Sequence, residues 1–118
     1  MITVQNVTIA NGKFRLENLS FSIPTHQYGI LMGKTGCGKT TLLEAICGLK
    51  PVQKGSIQLM GQEVTRCRPS ERGIGYVPQD GALFTHMTIF ENLAFALTIR
   101  KTPESIIKER VEELAALL

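Results

Sequence analysis

The residues with the clearest chemical purpose form one run, Gly33-Lys34-Thr35-Gly36-Cys37-Gly38-Lys39-Thr40. It fits G-x-x-x-x-G-K-[ST], the pattern of a loop that cradles phosphates. Gly33 ends a strand and lets the backbone turn where a side chain would clash. Gly36 and Gly38 keep the loop bare, so successive N–H groups can face phosphate oxygens. Lys39 is placed to reach β- and γ-phosphates, and the Thr40 hydroxyl to ligate Mg²⁺. Thr41 follows in the first helical turn, where another hydroxyl meets the α-phosphate. The helix N-terminus adds about half a positive charge facing the anion.

Such a loop works only between a strand and a helix. Before it, Tyr28-Gly29-Ile30-Leu31-Met32 reads as a short buried strand. After it, Leu42, Leu43, Ala45, Ile46 and Leu49 give an apolar helical face, which Gly48 and Pro51 stop. Upstream, Ile2, Val4, Val7 and Ile9 alternate with a phase shift at Asn6, and Asn11-Gly12 signals a hairpin turn. Phe14, Leu16, Leu19, Phe21 and Ile23 continue the strand pattern.

Downstream, residues 56–60 and 73–77 read as strands, and residues 64–72 as a polar loop or single helical turn. Pro78 ends pairing and leaves Gln79 on an edge. Thr88-Ile89-Phe90-Glu91 is a capping box opening a helix through Leu97. Thr102-Pro103-Glu104 opens another, with Pro at the first helical position. Ile106, Ile107, Val111, Leu114, Leu117 and Leu118 line its apolar face, and Glu104 with Lys108 makes an i,i+4 pair. No stop signal follows that face, so the chain reads as truncated, the front part of a longer protein beginning at Met1.

The 118 residues are 43% hydrophobic and 19% charged, which suits a small folded unit and excludes a disordered chain. The net charge of +3 is spread along the chain. Its densest basic stretch, Arg66, Arg68 and Arg72, lacks interleaved aromatics and reads as a solvated loop, not a nucleic-acid patch. Three cysteines without CxxC spacing suggest neither a disulfide framework nor a zinc site and fit a reducing compartment. There is no signal peptide and no apolar run long enough for a membrane span.

These stretches together resemble the ATP-binding subunit of an ABC transporter. The second block that carries the resemblance is Glu71-Arg72-Gly73-Ile74-Gly75-Tyr76-Val77-Pro78-Gln79, similar to the family's approach to its Q-loop. The third runs from Ala82 through Leu93 and is similar to the start of the helical subdomain in prokaryotic importers. The resemblance implies an α/β P-loop NTPase with N-terminal antiparallel strands, a mixed sheet core and the start of a helical subdomain. It divides the chain into 1–79, strands plus P-loop core, and 80–118, the beginning of the helical subdomain.

The resemblance also implies roles. Residues Gly33 through Thr41 would wrap the triphosphate of ATP, and Lys39 and Gln79 would serve catalysis. Thr40 and Gln79 would hold Mg²⁺, Gln79 also meeting the attacking water. Phe14 is the favoured adenine-stacking residue, because Asn11 stands where the family often has an aromatic. The stretch from Ala82 to Phe90 would face an integral membrane subunit, with Phe84 and Met87 as contacts or core; His86 reads as a surface or interface residue, not a catalytic one. The expected function is an importer ATPase, homodimeric when intact and peripheral on the cytoplasmic face of the membrane, with an oxyanion such as molybdate as cargo. The signature Leu-Ser-Gly-Gly segment and the acidic strand with its catalytic glutamate are not among the 118 residues, so this chain alone is not expected to turn over. A non-catalytic nucleotide-binding fragment and a different P-loop enzyme, such as a small kinase, are the alternatives.

Overall fold

The computed structural model describes all of residues 1–118. They divide into two compact units, Met1–Tyr76 and Val77–Leu118.

In the first unit, β1 (Ile2–Asn11) and β2 (Phe14–Ile23) form an antiparallel hairpin in which Asn11 pairs with Phe14. Gly12 takes a φ of 63° in the turn, which a glycine adopts without strain. The phase shift at Asn6 is a bulge. Asn6 (φ 49°) and Asn18 (φ 53°) both sit in the left-handed region, and the register slips between Val4 and Ile9. That slip lets Val4 and Val7, three residues apart, both point into the core. Polar side chains satisfy the irregular backbone: the Asn6 N–H donates to Ser20 Oγ at 2.8 Å and the Asn18 N–H to Thr8 Oγ1 at 3.3 Å.

The helix α1 (Lys39–Cys47) packs Leu42, Ala45 and Ile46 against this sheet, which continues through β3 (Lys54–Leu59) and β4 (Gln62–Glu63) in the order β2-β1-β3-β4. Gly55 in β3 faces the bulge. It has φ 87°, and a Cβ there would lie 2.4 Å from both the Asn6 and Gln5 carbonyl oxygens. The β1 backbone there cannot retreat as a flexible side chain could. Gly55→Ala is therefore expected to cost about 3 kcal/mol or more in a urea denaturation experiment, against under about 1 kcal/mol for Gly61→Ala. Gly61 has a similar φ of 81° but open space around it.

The sheet is entirely antiparallel, which corrects the expectation of a mixed core. The stretches at 28–32 and 73–77 carry no ladder. Tyr28 is 100% exposed, and Ile30 and Met32 are each 84% exposed. A buried strand is held by paired neighbours on both sides, and no strand of the sheet pairs with either stretch. Instead, Tyr28, Ile30 and Leu31 border an open apolar cleft of about 550 Å³ with Ile23, Leu42 and Ile46.

A second correction concerns Arg72. Arg66 and Arg68 are exposed, but Arg72 is buried. It follows the 3₁₀ turn Pro69–Glu71, and its guanidinium meets the carbonyl end of α1. Polar residues around a Pro-Ser pair read as surface, yet this cation is drawn in by a helix terminus that presents unsatisfied acceptors.

In the second unit, α2 (Ile89–Ile99) and α3 (Glu104–Leu117) pack through Ala94, Ile107 and Val111, flanked by Leu93 and Leu97. The Thr88 capping box forms: the Glu91 N–H donates to Thr88 Oγ1 at 3.1 Å, and the Thr88 N–H to Glu91 Oε2 at 2.7 Å. The Thr88 backbone N–H, then its hydroxyl, hold the Glu91 carboxyl below the ordinary carboxylate range. Pro103 is the N-cap of α3, not its first helical residue. The buried face of α3 narrows to Ile107 and Val111, while Ile106, Leu117 and Leu118 are exposed. The expected Glu104–Lys108 pair is not made; Arg110 and Glu113 pair instead.

Candidate functional site

The loop at 33–38 ends on α1, whose start differs from that of α2. The α2 terminus has a side-chain cap and an acid in its first turn. The α1 terminus has neither: its N-cap is Gly38, with φ 97° and no side-chain hydrogen bond. Its first N–H groups are thus left for an external acceptor.

The glycines have separate reasons. A Cβ at Gly33 would lie 2.7 Å from Cys37 Sγ, and one at Gly38 would lie 2.7 Å from two ring carbons of Phe14. Gly36 has open space but φ 81°, so its requirement is conformational. Lys39 folds back over this bare backbone. Its Nζ donates to the Gly33 and Lys34 carbonyls, each at 2.8 Å, and lies 3.7 Å from Cys37 Sγ. Lys34, Thr35, Cys37 and Thr40 are exposed, and Thr41 is half-buried. A cation, an uncapped helix start and hydroxyls within the first turn of α1 suit a phosphate group in chemistry.

Phe14, at the start of β2, is half-buried with its ring against Gly38. The hairpin therefore brings this aromatic to the flank of the loop. Gln79 is exposed in the second unit, one residue after Pro78. His86 is also exposed, with its ring edge-on to Phe84 at 6.1 Å. Phe84 stacks at a tilt on Phe95, 4.5 Å between centroids, and Met87 is half-buried.

Two residues that carry no marked role in the sequence make four side-chain hydrogen bonds each: Arg72 to carbonyls of Ala45, Ile46, Thr65 and Cys67, and Asn92 to the 84–88 turn. For Asn92 the available signal is its place directly after a capping box. For Arg72 there is none in local pattern.

A family model described as ABC transporter matches residues 16–118. The chain belongs to the ABC transporter family. A molybdate/tungstate import ATP-binding protein, WtpC, of Pyrococcus horikoshii is 38% identical over 118 residues, covering 100% of this chain and 34% of that protein. A sulfate/thiosulfate import ATP-binding protein, CysA, of Gloeobacter violaceus is 45% identical, covering 99% of this chain and 34% of that protein. The chain thus spans about a third of the length of these ABC relatives. The fold is similar to that of the ATP-binding cassette MJ0796, solved as a dimer bound to ADP and Pi, with TM-score 0.80 and 24% identity. That likeness covers 96% of this chain and 55% of the other. As an ABC-family chain, it is an α/β P-loop protein, and no helix in it is long and apolar enough to cross a membrane.

Proposed function

We propose that this chain is the nucleotide-binding N-terminal part of an ABC importer's ATP-binding subunit. The whole protein would couple ATP binding and hydrolysis to transport across a membrane. The observation that carries this reading is the uncapped start of α1, with Lys39 Nζ gathered onto the bare loop beside it. Residues Gly33 to Thr41 bind the triphosphate through backbone N–H groups, Lys39 and the threonine hydroxyls. Thr40 would hold Mg²⁺, which would supply positive charge to the phosphates. Gln79 is assigned to Mg²⁺ and the attacking water on the family resemblance alone. Phe14 stacks on adenine from its position against Gly38.

The relatives' names favour a tetrahedral oxyanion as cargo. The stretch from Ala82 to Phe90 docks an integral membrane subunit, which holds the protein peripherally at the membrane. Turnover belongs to the intact homodimer, because the 118 residues hold no signature segment.

Cys37 gives a direct test. It is exposed, whereas Cys47 and Cys67 are half-buried and burial pushes the Cys47 thiol up, against the opposing charge of Arg72. Peptide-resolved mass spectrometry should show N-ethylmaleimide reacting first at Cys37. MgATP at about ten times its Kd should slow that reaction about tenfold, while AMP leaves it unchanged. Full modification of Cys37 should also weaken ATP binding. Unaltered binding after complete modification, or no protection by ATP, would overturn the reading.

A further inference from the structure

Gly33, Gly36 and Gly38 leave the phosphate loop without side chains to hold its shape, and glycine loses more conformational freedom on ordering than any other residue. Two holds are present. On one side, Lys39 Nζ reaches back to the Gly33 and Lys34 carbonyls. On the other, the loop meets side chains of β2, and it does so at Gly38. A Cβ on Gly38 would lie 2.7 Å from Phe14 Cε1 and Cζ and 2.9 Å from Leu16 Cδ1. One on Gly33 would meet only Cys37 and Lys39, and one on Gly36 nothing. Gly38 is the residue that aims the site. Its φ of 97° turns the chain into α1, and its carbonyl accepts the first helical bond, from the Leu42 N–H at 2.9 Å. The direction of the uncapped N–H groups is set there. The two β2 side chains differ in what else they touch. Leu16 also packs against the core cluster of the first unit, whereas Phe14 lies outside that cluster and is still half-buried. The edge of the Phe14 ring serves the loop, not the core.

We infer that Phe14 is a positioning residue for the phosphate loop, apart from any stacking on a base. Its ring edge walls Gly38, and so keeps the first N–H groups of α1 aimed at the phosphate site before a ligand arrives. This rests on the reading of 33–41 as the triphosphate loop. A loop already ordered removes a conformational cost that binding would otherwise bear. Stacking acts on adenine alone, whereas a wall against Gly38 acts on any triphosphate, with or without a base.

The test compares MgATP with inorganic tripolyphosphate plus Mg²⁺, which has no base to stack. It uses the full-length protein and its Phe14→Ala, Phe14→Met and Lys39→Met variants. Phe14→Ala should weaken tripolyphosphate binding about five- to tenfold, and ATP binding further, because stacking is lost as well. Methionine is long and flexible enough to fill the place of the ring edge but has no aromatic face. Phe14→Met should therefore recover tripolyphosphate affinity to within about twofold of the wild type, while ATP affinity stays reduced. Urea denaturation of the same samples gives the folded fraction, for which each affinity is corrected. Wild-type tripolyphosphate affinity in Phe14→Ala, with ATP affinity reduced, makes Phe14 a stacking residue only and overturns the positioning role. A loss for both ligands that vanishes on correction for the folded fraction makes Phe14 a holder of the fold, which also overturns it. So does tripolyphosphate binding by Phe14→Met as weak as that by Phe14→Ala. If Lys39→Met keeps wild-type affinity for both ligands, the reading of the loop itself fails, and the role of Phe14 with it.

Discussion

Replacing Lys39 with methionine is expected to weaken ATP binding by about two orders of magnitude or more, with little change in stability. The reason lies in what the ammonium does in each state. Without nucleotide, its hydrogen-bond partners are the carbonyls of Gly33 and Lys34, on exposed loop residues. Water can satisfy those oxygens once the lysine is gone, so unfolding free energy should shift by under about 1 kcal/mol. With nucleotide, the same Nζ is the loop's own cation beside the uncapped helix start, and nothing else in the 33–41 segment except Lys34 carries positive charge. Methionine keeps the length and apolar stem and removes only the charge and donors. Lys39→Arg should not rescue binding, because a planar fork cannot turn three donors onto two carbonyls and a phosphate as an ammonium does. Titration with a fluorescent ATP analogue and urea denaturation of the same samples check both halves. Unchanged affinity in Lys39→Met would remove the loop from nucleotide binding altogether.

The parts of this chain legible in its sequence are those set by local rules. Asn11-Gly12 places the hairpin, and the Thr88–Glu91 spacing places the start of α2. The broken alternation at Asn6 marks a bulge, because a period-two pattern must slip when one residue is left unpaired. The phosphate loop is legible for the same reason, since Gly36 and Gly38 answer to their own backbone angles. What the sequence does not display is set by distant partners. Residues 28–32 have the composition of a core strand, but a ladder needs neighbours that composition cannot name. The approach of the Phe14 ring to Gly38 depends on where the hairpin lies over α1, and no spacing between residues 14 and 38 encodes it. The constraint on Gly55 comes from the bulge at Asn6, far away in sequence. Arg72 is the furthest case, because its burial is decided by a helix end that its own neighbours do not touch in sequence.

Arg72→Met is expected to destabilise the first unit by about 3–5 kcal/mol, a large part of the stability of a domain this small. Arg72 Nη1 donates to the Ala45 and Ile46 carbonyls at 2.9 and 2.8 Å, Nε to Cys67 at 3.1 Å, and Nη2 to Thr65 at 3.2 Å. No carboxylate faces the guanidinium; its compensation is four carbonyl dipoles, two of them at the negative end of α1. A guanidinium cannot shed its proton to escape burial, so this geometry must meet the whole desolvation cost. Methionine relieves that cost but strands the Ile46, Thr65 and Cys67 carbonyls, while the Ala45 carbonyl keeps the Gly48 N–H at 3.1 Å. Gly48 is fitted to the same arrangement: it ends α1 with φ 86°, and a Cβ there would lie 2.6 Å from Arg72 Nε. Arg72→Lys keeps a charge near the helix end but reaches fewer acceptors, so it should lose about half as much. Arg66→Ala, at an exposed position, should stay within about 0.5 kcal/mol. Urea denaturation of the full-length protein gives the order Arg66→Ala, Arg72→Lys, Arg72→Met. A loss under about 1 kcal/mol in Arg72→Met would mean that the loop at 65–72 gains nothing from its hold on α1. The ordered loss would make Arg72 the anchor for one end of the helix whose other end carries Lys39. Nucleotide affinity should then fall in Arg72→Met only as far as the fraction folded falls, which separates it from the charge effect at Lys39.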